Sequence, residues 1–158
     1  MQIKIIFIGV MVLSLSSISS AVDTNAQEKI QIVKKLYNSL LDGSALGEDE
    51  AIRRYGSHEL RQILKKLEVI SDHNEGDQCE WQAAGVLIPG QDTDLTANKI
   101  QYSVLQNGRV RVQAKNFGQS FKVDFDVKCT DLGCSITDFY TPQSYKNMMA
   151  SYARKGQC

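Results

Sequence analysis

The chain has 158 residues, 42% of them hydrophobic, and its 18 basic residues balance 18 acidic ones. This balance lacks the excess of Lys and Arg that binding to a phosphate backbone needs, so nucleic acid is excluded as the expected partner. The length accommodates one domain with a modest core.

At the N-terminus, Lys4 supplies a positive n-region, Ile5 to Leu15 an apolar segment, and Ser19-Ser20-Ala21 a small-residue cleavage site. Residues 1–21 therefore read as an export signal, and 22–158 as a single domain beginning at Val22. The apolar segment is shorter than the ~20 residues of a membrane span. With no cysteine at the cleavage point, the expected product is soluble, periplasmic or secreted, without a lipid or transmembrane anchor.

Residues 26–42 predict a helix, with Ile30, Val33, Leu36, Tyr37, Leu40 and Leu41 on one stripe and Asp42-Gly43-Ser44 as its stop. A second helical stretch runs from Gly47 to Ile70, interrupted at Gly56-Ser57, with Ser57 as the N-cap of its second half. Residues 71–80 are a polar connector. From Lys99 the period becomes two: Ile100, Tyr102 and Val104 alternate inward, and Asn107-Gly108 predicts a two-residue primed turn. Val110, Val112 and Ala114 form the next inward set, then Phe121, Val123, Phe125 and Val127, then Cys134, Ile136 and Asp138. A last helix is expected with Thr141 as N-cap, Pro142 at its first position, and Tyr145, Met148, Met149 and Tyr152 on one face. These elements predict an α+β fold: N-terminal helices packed on a curved antiparallel sheet of about four strands, with a C-terminal helix.

Four cysteines in an exported chain read as two disulfides. Cys129 and Cys134 flank a hairpin turn, Thr130 to Gly133, and predict a local clip. Cys79 and Cys158 pair by elimination as a long-range staple. Loop-closure entropy assigns about 2 kcal/mol to the clip and about 4.5 kcal/mol to the staple. There is no Cys-x-x-Cys pair, and both histidines precede every cysteine, so no metal site is expected.

No catalytic constellation emerges. His58 and His73 lack a nucleophile setting, Asp92 and Asp94 read as turn residues, and no glycine-rich phosphate loop occurs. No cofactor and no enzymatic activity are expected. The outward strand residues Arg109, Arg111, Lys122, Asp124 and Asp126 offer opposite-charge cross-strand pairs and form a candidate partner surface.

The element order, together with Leu87-Ile88-Pro89-Gly90-Gln91-Asp92 and Ser135-Ile136-Thr137-Asp138-Phe139-Tyr140, resembles small exported proteins of the nuclear transport factor 2-like, cystatin-like superfamily, in a periplasmic and lipoprotein branch. The resemblance implies helices wrapped around a curved sheet whose conical interior forms a pocket. Carried onto this chain, the candidate lining is Trp81, Tyr102, Phe121, Phe125 and Asp138. The expected function is non-catalytic binding of a periplasmic or envelope protein, as an inhibitor or immunity-type protein, with a homodimer as a further option. The alternative is a small-ligand-binding protein using the apolar cone.

Overall fold

A computed structural model describes residues 20–42, 47–73, 79–83, 86–90, 92–156 and 158. The export signal falls outside the described residues up to position 19, as do 74–78 of the polar connector. The order is helix α1 (Ser20–Leu41), α2 (Glu48–Tyr55), α3 (His58–Asp72), two short 3-10 turns, strands β1 (Gln101–Val104), β2 (Val110–Asn116), β3 (Gln119–Thr130) and β4 (Gly133–Tyr140), then α4 (Tyr145–Lys155). The strands form an antiparallel meander in chain order, giving the expected α+β architecture. Among the described residues no helix is long and apolar enough to cross a membrane.

Helix α1 lies across the sheet and touches all four strands. Its stripe residues Val33, Leu36 and Tyr37 are fully buried, as are Val110, Val112, Phe125 and Phe139 from the strands facing them. Each such side chain removed from water contributes about 1.5–3 kcal/mol. The core centres on an aromatic row: Tyr37 meets Tyr102 and Phe125 edge-on, Phe125 tilts against Phe139, and Phe139 stacks on Tyr145 at 4.3 Å. This row joins α1, the sheet and α4 into one packed unit.

The break between α2 and α3 falls at Gly56-Ser57 as the sequence predicts. Ser57 Oγ accepts from Leu60 N, capping α3. The same dipeptide straps the outer edge of β4, with Ser57 N donating to Ile136 O at 2.7 Å. Gly56 is required there because a Cβ would lie 2.5 Å from the Ile52 carbonyl oxygen.

Two local expectations are corrected. Asn107-Gly108 does not form a two-residue turn. Leu105 and Arg109 are joined by a backbone bond, Gly108 N donates to Leu105 O, and Gly108 alone in the loop has positive φ, so the loop has three residues, Gln106 to Gly108. The reason is register: a two-residue turn would set Tyr102 opposite Gln113, mixing the two faces of the sheet. The longer loop puts Tyr102 opposite Val112 and Val104 opposite Val110. The two-residue primed turn occurs instead at Phe117-Gly118, where both residues have positive φ.

The last helix starts later than expected. Thr141-Pro142 is a cis peptide in the turn before it, and Ser144, not Thr141, is the N-cap. Ser144 Oγ accepts from Asn147 N at 3.0 Å while donating to Asp138, a double engagement that Thr141 does not have. The expected stripe is retained, with Tyr145 and Met149 buried.

Both disulfides form as expected: Cys79 with Cys158, and Cys129 with Cys134. The clip joins directly opposed residues of β3 and β4, and its Cα atoms are 3.9 Å apart.

Candidate functional site

Strand β3 is not paired on both sides along its whole length. β3 pairs with β2 through Gln119 to Phe125 and with β4 through Asp124 to Thr130, so the two partners overlap only at Asp124 and Phe125. β4 ends at Tyr140, opposite Asp124, and the chain turns away through Thr141-Pro142. Among the described residues, 119–123 are therefore paired on one side only. The closing pair of the Phe117-Gly118 hairpin is Asn116 with Gln119, which directs the N–H and C=O groups of Phe121 and Val123 towards β2. Those of Ser120 and Lys122 point to the open edge.

Beside this edge runs a groove of about 450 Å³. Val86, Pro89, Phe121 and Val123 form its apolar wall, and Lys122 and Tyr140 lie on its polar side. The segment supplying Val86 and Pro89 is held by two polar side chains. Glu48, at the start of α2, accepts from Leu87 N and Ile88 N at 3.1 Å. Asn116, buried at the end of β2, donates to Pro89 O and Asp92 O and accepts from Thr93 Oγ1 and Asp94 N, so all four of its hydrogen-bonding positions are used. Burial pushes the Glu48 carboxyl above its ordinary pKa, against the opposing pull of its two backbone donors. Asp94 reaches across to accept from Phe117 N at 2.7 Å, fixing the adjacent turn.

The outer face of the sheet divides into two halves. Near the Asn107 loop, Arg111 makes a two-pronged bond to Asp124, with both contacts at 2.6 Å, and Arg109 pairs with Asp126 at 3.0 Å. The Arg111 hydrogen bonds hold the Asp124 carboxyl below its usual range. Arg109 also lies over the Tyr140 ring, whose hydroxyl donates to Asp126, and burial followed by that bond pushes the Tyr140 pKa up to about 12. At the other end, Lys115 and Lys122 are exposed and have no ion-pair partner among the described residues.

The five expected pocket residues do not share one site. Phe125 is fully buried within the aromatic row, and Tyr102 packs on Tyr37 at the row's end. Trp81 is buried two residues beyond Cys79, and its Nε1–H has no hydrogen-bond partner among the described residues. Asp138 does not share the inward parity of Ile136, because Thr137 bulges out of the ladder and sets Asp138 opposite Asp126. It is buried all the same, accepting from Phe139 N, Ser144 Oγ and Lys146 N, so it anchors the start of α4. Phe121 does face a surface groove. It meets there three of the expected partner-surface residues, Arg111, Lys122 and Asp124.

A wider, shallower groove lies between α1 and the β3–β4 turn, lined by Glu28, Gln31, Lys35 and Cys134 among others. Glu28 and the sulfurs of Cys129 and Cys134 lie close enough together to hold an ion, but the two sulfurs are bonded to each other and present no thiolate.

Comparison of the chain with protein-family models, with curated proteins and with solved structures finds no match.

Proposed function

We propose that the chain is a non-catalytic protein-binding module of the cell envelope, of the inhibitor or immunity type, built on the nuclear transport factor 2-like plan its sequence resembles. The observation that carries this reading is the surface around β3, where a strand edge and two lysines without partners among the described residues adjoin an apolar groove. The buried and half-buried acidic groups support it too, since each is committed to structure: Glu48 to the Leu87 and Ile88 amides, Asp138 to α4, Asp124 and Asp126 to arginines. Both histidines lie exposed on or next to α3, and His73 Nδ1 is 2.6 Å from the Val69 carbonyl oxygen. The two disulfides suit an oxidising compartment, which accords with the export signal read from the sequence. Against the small-ligand alternative stands the packing of Tyr37, Phe125 and Phe139 where an apolar cone would open.

The test is affinity capture from periplasmic extract with residues 22–158 as bait, followed by mass spectrometry and reconstitution from purified components. A protein that re-forms a defined complex is the expected result. Recovery of a co-purifying small molecule and no protein would overturn the proposal.

A further inference from the structure

We infer that the free edge of β3 is a strand-addition site whose occupant is an extended partner segment with alternating apolar and acidic side chains. This inference rests on the protein-binding reading and adds to it the place and the chemistry of the contact. Three features of the edge specify that chemistry.

The first is backbone polarity. Over Gln119 to Val123 the strand has no partner on the β4 side among the described residues, and the edge groups of Ser120 and Lys122 provide two donors and two acceptors spaced for an extended chain. At about 3.3 Å per residue, the five positions accommodate roughly 16 Å of strand. The outer edge of β4, by contrast, is covered by the Gly56-Ser57 strap.

The second is the groove wall. A strand laid along this edge directs alternate side chains to opposite faces. Those on the inner side enter the space between Val86 and Pro89 on one wall and Phe121 and Val123 on the other. Val86 is 41% exposed, an apolar side chain still open to water there. This half of the contact selects apolar residues at every second position.

The third is charge. Outward side chains of the added strand run beside Lys122, with Lys115 diagonal to it across the β2–β3 ladder. Asp124, the carboxylate that lines the groove with Lys122, is taken up by Arg111. Two cations with no ion-pair partner among the described residues select acidic residues at the intervening positions. A second copy of this edge would instead bring its own lysines to that face, which disfavours self-pairing.

The probe is a capped octapeptide alternating valine and glutamate, set against its valine–lysine counterpart, titrated into uniformly ¹⁵N-labelled residues 22–158. Saturable shifts centred on the Ser120 and Lys122 amides, slowed hydrogen exchange at those two sites, and at least tenfold weaker binding of the lysine peptide are expected. The Lys115→Glu/Lys122→Glu variant, checked for an unchanged fold by its amide spectrum, should reverse the preference between the peptides. No binding, binding centred elsewhere, or equal binding of the two peptides would overturn the inference. Concentration-dependent shifts at the same amides without peptide would also overturn it, by assigning the edge to a second copy. If a captured partner binds the double variant as tightly as the wild type, this inference fails while the protein-binding reading stands.

Discussion

Asp126 and Asp138 stand directly opposite each other in the β3–β4 ladder, a position where like charges repel. The structure accommodates them by pulling each carboxylate to a different set of donors. Asp126 takes Arg109 and the Tyr140 hydroxyl, while Asp138 takes the Ser144 hydroxyl and the Phe139 and Lys146 amides. The bulge at Thr137 creates this arrangement, and Thr137 Oγ1 secures it by donating to Asp126 O.

Asp138→Ala is expected to lower unfolding stability by about 1–3 kcal/mol, because two backbone amides and a capping hydroxyl lose a buried acceptor. Asp138→Asn should cost less, since one oxygen can still accept from both amides. Urea denaturation measures the difference, and amide exchange locates it. A fully protected Lys146 amide in the alanine variant would refute the anchoring role.

Phe117 occupies a left-handed backbone position, φ 45°, with its ring 63% exposed. For a bulky residue this conformation costs on the order of 1 kcal/mol, and little burial offsets it. Phe117→Asn would install the Asn-Gly pair that primed turns prefer. It is expected to raise stability by roughly 0.5–1 kcal/mol, provided the Asp94 bond to the residue 117 amide is kept. A destabilised variant in thermal melts would mean that the exposed ring makes a contribution its packing does not explain.

The disulfides should differ in weight. Cys79–Cys158 closes a sequence separation of 79 and Cys129–Cys134 one of 5. Chain entropy therefore predicts losses of about 4.5 and about 2 kcal/mol for the paired alanine variants. The staple holds Cys158, three residues beyond the end of α4, so its loss should also speed amide exchange throughout that helix. Equal losses for the two variants in guanidinium titrations would contradict the entropic account.

What was legible in the sequence follows from periodicity. Val110, Val112 and Ala114 read as inward because alternation survives in the structure, and Ser57 read as a cap because the apolar pattern restarts after it. Asn116 continues that inward series by one position, and a polar residue at core parity was the available signal that it binds backbone. The Thr137 bulge had no such signal: an inserted residue shifts parity without changing residue type, so Asp138 could not be placed on its true face. The open edge of β3 was hidden for a related reason. Strand lengths in the sequence do not reveal that β2 and β4 cover different halves of the same strand, so the sequence alone presents Phe121 as a pocket residue and Lys122 as a surface one.

Glu48 gives the chain a pH dependence whose sign is opposite to that of a salt-bridged acid. Burial raises its carboxyl above the ordinary 4.5, so the folded state binds this proton more tightly than the unfolded chain does. From that value up to the raised one the folded chain carries the larger share of protons, so the Glu48 contribution to stability falls as pH rises through this window. Asp124, lowered from 3.8 by Arg111, acts the other way: its stabilisation is complete above its ordinary value and is lost only as pH falls below it. The two windows do not overlap. Chemical denaturation of wild type and Glu48→Gln at pH values from about 5 to 7 should therefore show wild type losing stability relative to the variant as pH rises. The glutamine keeps one acceptor for the Leu87 and Ile88 amides, whereas Glu48→Ala would leave both without one and should cost about 1–3 kcal/mol at every pH. A wild-type-minus-glutamine difference that is flat or rises with pH would show that the carboxylate's bonds to those amides outweigh its burial.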